Sequence, residues 1–218
     1  MVSAEDPGLR RWLALGGAIA PLLFLGAVVV TAAGRPDYHH ASQAISLLGE
    51  VGGPGAGLMN FAGFLPYGLL IVGLAVGVHT GVRCGPGDWL GPSLLLVYGL
   101  AYAGVAFAPC DPGCTGASTS INERAHFLLS RIIILTSVAG PLVLFPRFAK
   151  DPGWAPLNLL LVALPVLGYV LFLLPVPGLE FGSQQRVSLA CTLGWILVVS
   201  WRLFSLSRKA ALVSPAAA

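Results

Sequence analysis

Asn122, His126 and Ser130 follow one another at intervals of four residues, and Ser137 comes seven after Ser130. On a helix turning about 100° per residue these four fall within an arc of about 80°, so they form one polar stripe. A histidine beside a carboxylate can act as a general base. The candidate carboxylates are Asp111 and Glu50, and Ser46 adds a hydroxyl to the same potential catalytic group. His126 and Asp111, with a third ligand from His39, His40 or Glu50, could instead hold a metal that activates water. His39 and His40 make a weaker metal pair, because adjacent side chains rarely point the same way. Glu123 and Arg131 form a neighbouring stripe. A plainer reading is structural. Arg131 would pair with Glu123, Asp111 or Glu50, and His126 would be a hydrogen-bonded strut, since polar side chains often join membrane helices. Asn60, Asn122, Ser130 and Arg131 are the candidate ligand-binding residues.

The elements that must position these groups are set by hydropathy. The 218 residues are 56% hydrophobic and only 10% charged, where soluble domains carry about 25% charged residues. Mean hydropathy is +0.83. Six apolar runs, Trp12–Ala33, Ala56–His79, Trp89–Pro109, Ala125–Pro146, Ala155–Pro175 and Val187–Phe204, each approach the roughly 20 residues that cross a bilayer. The expected fold is all-α, a polytopic transmembrane bundle of six helices over residues 12–206. A cytoplasmic segment 1–11 precedes it and a cytoplasmic tail 207–218 follows, expected to be disordered after Arg208. Arg10 and Arg11 before the first run resemble a signal peptide, but the run exceeds the roughly 7–15 residues of such a core and reads as a retained helix.

Basic residues set the orientation. The N-terminus, second and fourth loops and C-terminus hold Arg10, Arg11, Arg83, Arg147, Lys150, Arg202, Arg208 and Lys209. The opposite loops hold Arg35, Arg124 and Arg186. This places both termini in the cytoplasm of a cell-membrane protein. Asp37, Ser46, Glu50, Asp111 and His126 then share the outer half. The long first loop, 34–55, carries an expected short helix from Ser42 to Glu50, with Ser42 as its cap.

Cys110 and Cys114 flank Asp111-Pro112-Gly113 and suit a local disulfide on an oxidising side, while Cys84 and Cys191 read as ordinary small residues. Gly73 and Gly77 allow close helix approach, within the bundle or in a homo-oligomer. Trp12, Trp89 and Trp154 fall where an interfacial aromatic belt would lie. Basic residues are not clustered, so nucleic acid is not an expected partner. The expected partners are the bilayer and a lipid-like ligand. The sequence does not identify a cofactor.

Several segments resemble one family, the domain of unknown function 998. Asp37-Tyr38 precedes Ile45-Ser46-Leu47-Leu48-Gly49, similar to the family's I-S-x-L-G segment. Asn60, Gly63 and Phe64 open the second span in its manner. Phe107 to Cys114 is similar to its Asp-Pro-Gly block, His126 matches a histidine on its fourth helix, and Arg186 and Trp195 resemble its last-helix signature. The resemblance implies a multi-pass membrane protein and no particular chemistry. Three functions remain open: a protein binding a lipid-like ligand or a partner in its outer half, a metal-assisted hydrolase using Asp111 and His126, and a small transporter. Against the transporter stand its size and the lack of a visible inverted repeat.

Overall fold

A computed structural model of the protein describes residues 6–82, 89–117, 120–174 and 176–213. Cys84, Arg83 and residues 214–218 lie outside the described residues. Within them the chain is all-helical, the fold an apolar solvent favours because a helix satisfies its backbone groups internally. Six helices follow in order: α1 (Pro7–Ala33), α2 (Ala56–Gly81), α3 (Leu90–Val105), α4 (Ile121–Lys150), α5 (Asn158–Leu173) and α6 (Phe181–Val213). Five are long and apolar enough to cross a membrane, counting a 3₁₀ turn at Ala155–Leu157 that leads into α5. α3 has 16 residues, about 24 Å at 1.5 Å per residue.

The ends of these helices have local causes. α1 starts at Pro7, earlier than expected, where Asp6 accepts a hydrogen bond from the Gly8 N–H at 2.7 Å. Ser120 caps α4 by accepting from Glu123 N–H at 3.1 Å. α3 stops at Val105, short of the expected Pro109. α6 remains helical to Val213, so the part of the tail up to that residue is ordered helix, not disordered. The expected helix from Ser42 to Glu50 is also corrected. Only Ile45–Gly49 is helical, as a 3₁₀ turn preceded by Ala44, with no side-chain cap. The carbonyls of His40 and Gln43 instead accept hydrogen bonds from Arg186.

α1 packs on α2, α2 on α3, α3 on α4, α4 on α5, α5 on α6, and α6 returns to α1. The six helices form a closed ring of antiparallel neighbours. The first, third and fifth loops lie at one end, called here the loop-rich end. The start of α1 and the end of α6 lie at the other.

The tightest crossing is between α2 and α3. A Cβ on Gly68 would lie 2.4 Å from both Ala103 N and Gly99 O, and one on Gly99 would lie 2.7 Å from Gly68 O. Backbone meets backbone there, with no side chain free to yield. The expected Gly73–Gly77 pair works inside the bundle: a Cβ on Gly77 would meet Leu203 of α6 at 2.9 Å and Leu13 of α1 at 3.2 Å. Trp12 and Trp89 are exposed, as belt residues would be. Trp154 is not a belt residue. It is wholly buried and stacks on Phe148, with centroids 4.7 Å apart.

The Gly68–Gly99 crossing yields the first prediction. Gly68→Val should destabilise the bundle by about 1–3 kcal/mol or more, since overpacking forces backbone to move. Gly26→Ala, where nothing lies within 4 Å of the added Cβ, should leave the thermal midpoint in detergent unchanged. Equal midpoints for the two variants would contradict this crossing.

Candidate functional site

The site lies at the loop-rich end, beneath a cap made by the first and third loops. Polar side chains from the helices hold that cap by its backbone. At the start of α6, Arg186 donates to the carbonyls of His40, Gln43 and Gly182 and to the Tyr38 hydroxyl. Its guanidinium also lies 5.7 Å from the Tyr38 ring centroid. Burial holds the Tyr38 phenol above its usual pKa, although Arg186 pulls the other way. The neutral hydroxyl donates to the Ala44 carbonyl at 3.0 Å. Gln185 accepts from Ile45 N–H at 2.9 Å. Gly182 leaves room for the loop, since a Cβ there would lie 2.6 Å from the His40 and Gln43 carbonyl oxygens.

Two carboxylates fasten the rest. Glu50 pairs with Arg35, and its second oxygen accepts from Gly113 N–H at 2.6 Å. This joins the first loop to the third. Glu123, 1% exposed, accepts from Asp111 N–H and Gly116 N–H, each at 2.7 Å. Cys110 and Cys114 are disulfide-bonded across the turn between them, with Cα atoms 5.2 Å apart. Val51 N–H donates to the Cys110 carbonyl at 2.9 Å.

Below the cap is a cavity of about 130 Å³ that every helix helps to line. Phe24, Phe64, Ile133 and Phe172 give it apolar walls. Ser46, Tyr98, Tyr102, His126, Ser130, Ser137, Tyr169, Gln185, Ser188 and Thr192 add polar groups. Its scale is near that of an engineered apolar cavity of about 150 Å³ that accepts benzene. Part of α2 is positioned by a π-helical stretch, Met59–Phe64, a distortion frequent at functional sites. From it Asn60 donates to the Gly49 carbonyl at 2.9 Å, and Phe64 reaches the cavity.

Several of the cavity's polar groups are already satisfied. His126 shares its Nδ1 with the Ala108 carbonyl at 3.0 Å. Ser137 donates to Ile134 O at 2.7 Å and Ser188 to Gly168 O at 2.6 Å. The Tyr98 and Tyr67 hydroxyls are bonded at 2.9 Å. His126 Nε2, Gln185 Nε2 and the hydroxyls of Ser46, Ser130 and Tyr169 have no partner among the described residues and remain available to a ligand.

The expected residues therefore separate. Ser46, His126, Ser130 and Ser137 come together in the cavity. Asn122 is exposed outside it, and Asn60 is buried beneath Gly49. Glu50 and Asp111 belong to the cap and do not line the cavity. His39 and His40 are exposed. Among the described residues no three His, Cys, Asp or Glu side chains come together as a metal site. Arg131 does not pair with Glu123, Asp111 or Glu50. It is exposed on α4 without a partner among the described residues, because Glu123 turns toward the third loop.

The family described as "Protein of unknown function (DUF998)" matches residues 18–202. The chain belongs to this family. No curated protein and no solved structure matches it. With its five membrane-crossing helices and short α3, this DUF998 chain is a multi-pass membrane protein.

The geometry gives the segments that carried the resemblance a physical meaning. Gly49 ends Ile-Ser-Leu-Leu-Gly because a Cβ there would lie 2.3 Å from Asn60 Oδ1. Arg186 anchors the cap, and Trp195 Nε1 donates to Leu161 O at 3.0 Å, joining α6 to α5. The cavity residues of α6 were missed from the sequence. Gln185, Ser188 and Thr192 lie at helical spacings of three and four, the same signal that exposed the α4 stripe.

Arg186→Lys should loosen the cap, because a lysine cannot reproduce a planar fork of several bonds. The expected loss is about 1–3 kcal/mol, with faster limited proteolysis within residues 34–55. Unchanged protection of that loop would show that Arg186 does not hold it.

Proposed function

We propose that this DUF998 protein binds a lipid-like, amphipathic molecule in the cavity at its loop-rich end. The observation that carries the reading is the lining. Apolar walls from all six helices surround a few unpaired hydrogen-bonding groups, and no carboxylate lines the space. Ligand sites are typically mostly apolar, with a few placed polar groups that orient the bound molecule. The volume suits part of a molecule, such as a chain segment with a small polar group, better than a whole lipid.

We place the loop-rich end outside a cell membrane and both termini in the cytoplasm. The distribution of basic residues supports this, as does a disulfide between Cys110 and Cys114, a bond suited to an oxidising side. A hydrolase reading through Asp111 and His126 lacks comparable support. Asp111 belongs to the cap, and one nitrogen of His126 is taken by a backbone carbonyl. No observation favours transport.

The test is to purify the full chain in mild detergent and measure co-purifying amphiphiles by mass spectrometry. Ser130→Phe fills the cavity from α4. It should reduce a stoichiometric amphiphile at least about tenfold, since a bulky side chain occupies the same volume, while helicity and elution volume stay as in the wild type. Equal amphiphile content in the folded variant would contradict the proposal. Ser130→Ala, which removes one unpaired hydroxyl and little volume, should have a smaller effect.

A further inference from the structure

We infer that the cavity opens sideways into the bilayer between α4 and α5, and that Arg131 holds the anionic phosphate headgroup of a phospholipid whose chain enters there. This rests on the proposed lipid-binding reading and names the ligand class.

The α4–α5 seam is the loosest of the six packed pairs in the ring. Both its helices are little buried. Within their most apolar stretches 22% of α4 and 17% of α5 is buried, against 33–50% for α1, α2 and α6. The seam also borders the cavity, with Ile133, Ile134 and Ser137 on one side and Tyr169 and Phe172 on the other.

Helical geometry places Arg131 at this seam. On α4, Leu129, Gly140 and Leu144 face Gly104, Leu94 and Gly91 of α3. The cavity-facing set is His126, Ser130, Ile133, Ile134 and Ser137. At about 100° per residue, the cavity arc lies about 60° round the helix from the α3 arc. In a six-membered ring α5 should then lie about 60° beyond the cavity arc. Arg131 falls about 115° beyond it, just outside the α4–α5 seam. It is exposed there without a partner among the described residues.

Depth points the same way. The 30 residues of α4 extend about 45 Å across roughly 30 Å of hydrocarbon. If the helix is centred, the Arg131 backbone lies about 7–8 Å below the hydrocarbon edge at the loop-rich end. Helical side chains tilt toward the helix N-terminus, here toward that edge, so Arg131 can snorkel to headgroup level. A cation at this depth costs several kcal/mol if uncompensated. α5 offers no counter-charge, because Asn158–Leu173 contains no charged residue. A phosphate would supply that charge through bidentate hydrogen bonds, and the seam beside it would admit the attached chain.

The inference can be tested by adding lipids to the full chain in detergent and reading bound lipid by native mass spectrometry. The probes are dioleoyl phosphatidic acid and dioleoylglycerol, which share chains and differ only in the phosphate. Wild type should bind the phospholipid about tenfold more tightly, Arg131→Gln should lose that difference, and Arg131→Lys should keep part of it. Inorganic phosphate should not displace the phospholipid. Equal binding of the two lipids to wild type would overturn the headgroup assignment. So would displacement by inorganic phosphate, or an Arg131-dependent dimer without bound lipid, which would assign the face to a second copy. If Ser130→Phe binds both lipids as wild type does, the cavity reading fails instead.

Discussion

A backbone N–H or C=O buried without a partner costs about 1–3 kcal/mol, and the loop-rich end is built around this constraint. The first and third loops make only short turns of their own, such as Gln43 N–H to His39 O and Cys114 N–H to Asp111 O, and leave other backbone groups to be paired. The protein supplies partners from buried or half-buried ionic side chains. Glu123 takes two N–H groups of the third loop, Glu50 takes a third while paired with Arg35, and Arg186 gives its donors to three carbonyls. These charges thus act as backbone partners. The cap they hold is what turns an open ring of helices into a chamber.

The chamber follows from that cap and from uneven packing of the ring. α2 and α3 meet through Gly68 and Gly99, where no side chain separates them. α4 and α5 meet loosely, and both carry proline within the helix, Pro141 and Pro146 in α4 and Pro165 in α5. Large side chains such as Phe24, Phe64 and Phe172 reach inward without filling the space. A partly open volume with a few unpaired hydroxyls then remains where the ring is least tightly joined.

Much of the architecture was legible in the sequence because a bilayer imposes one length and one polarity on each span. The helix ends were less legible. They depend on caps and loop contacts such as those of Asp6 and Ser120, and the run from Ser42 to Glu50 is governed by Arg186, more than a hundred residues away. The α4 stripe was half right for a physical reason. His126, Ser130 and Ser137 share the inner face, but Asn122 lies in the first turn, beyond the ring's interior. The acidic residues could not be placed from spacing, because Asp111, Glu50 and Glu123 act on loop backbone whose path no periodicity records. Arg131 stood either as one half of an ion pair or as a ligand-binding residue, and spacing alone could not decide between them, because the direction Glu123 takes is set by the third loop.

Entry of a lipid chain through the α4–α5 seam is tested most directly by photo-crosslinking of the reconstituted full chain with a phospholipid carrying a diazirine near the end of one acyl chain, followed by peptide mapping. Adducts should concentrate on the cavity-lining residues around Ile133 and Ile134 of α4 and Phe172 of α5, and Ser130→Phe should suppress them. Adducts confined to outward-facing residues such as Leu22, Val29 and Leu159, with none on the cavity lining, would contradict it.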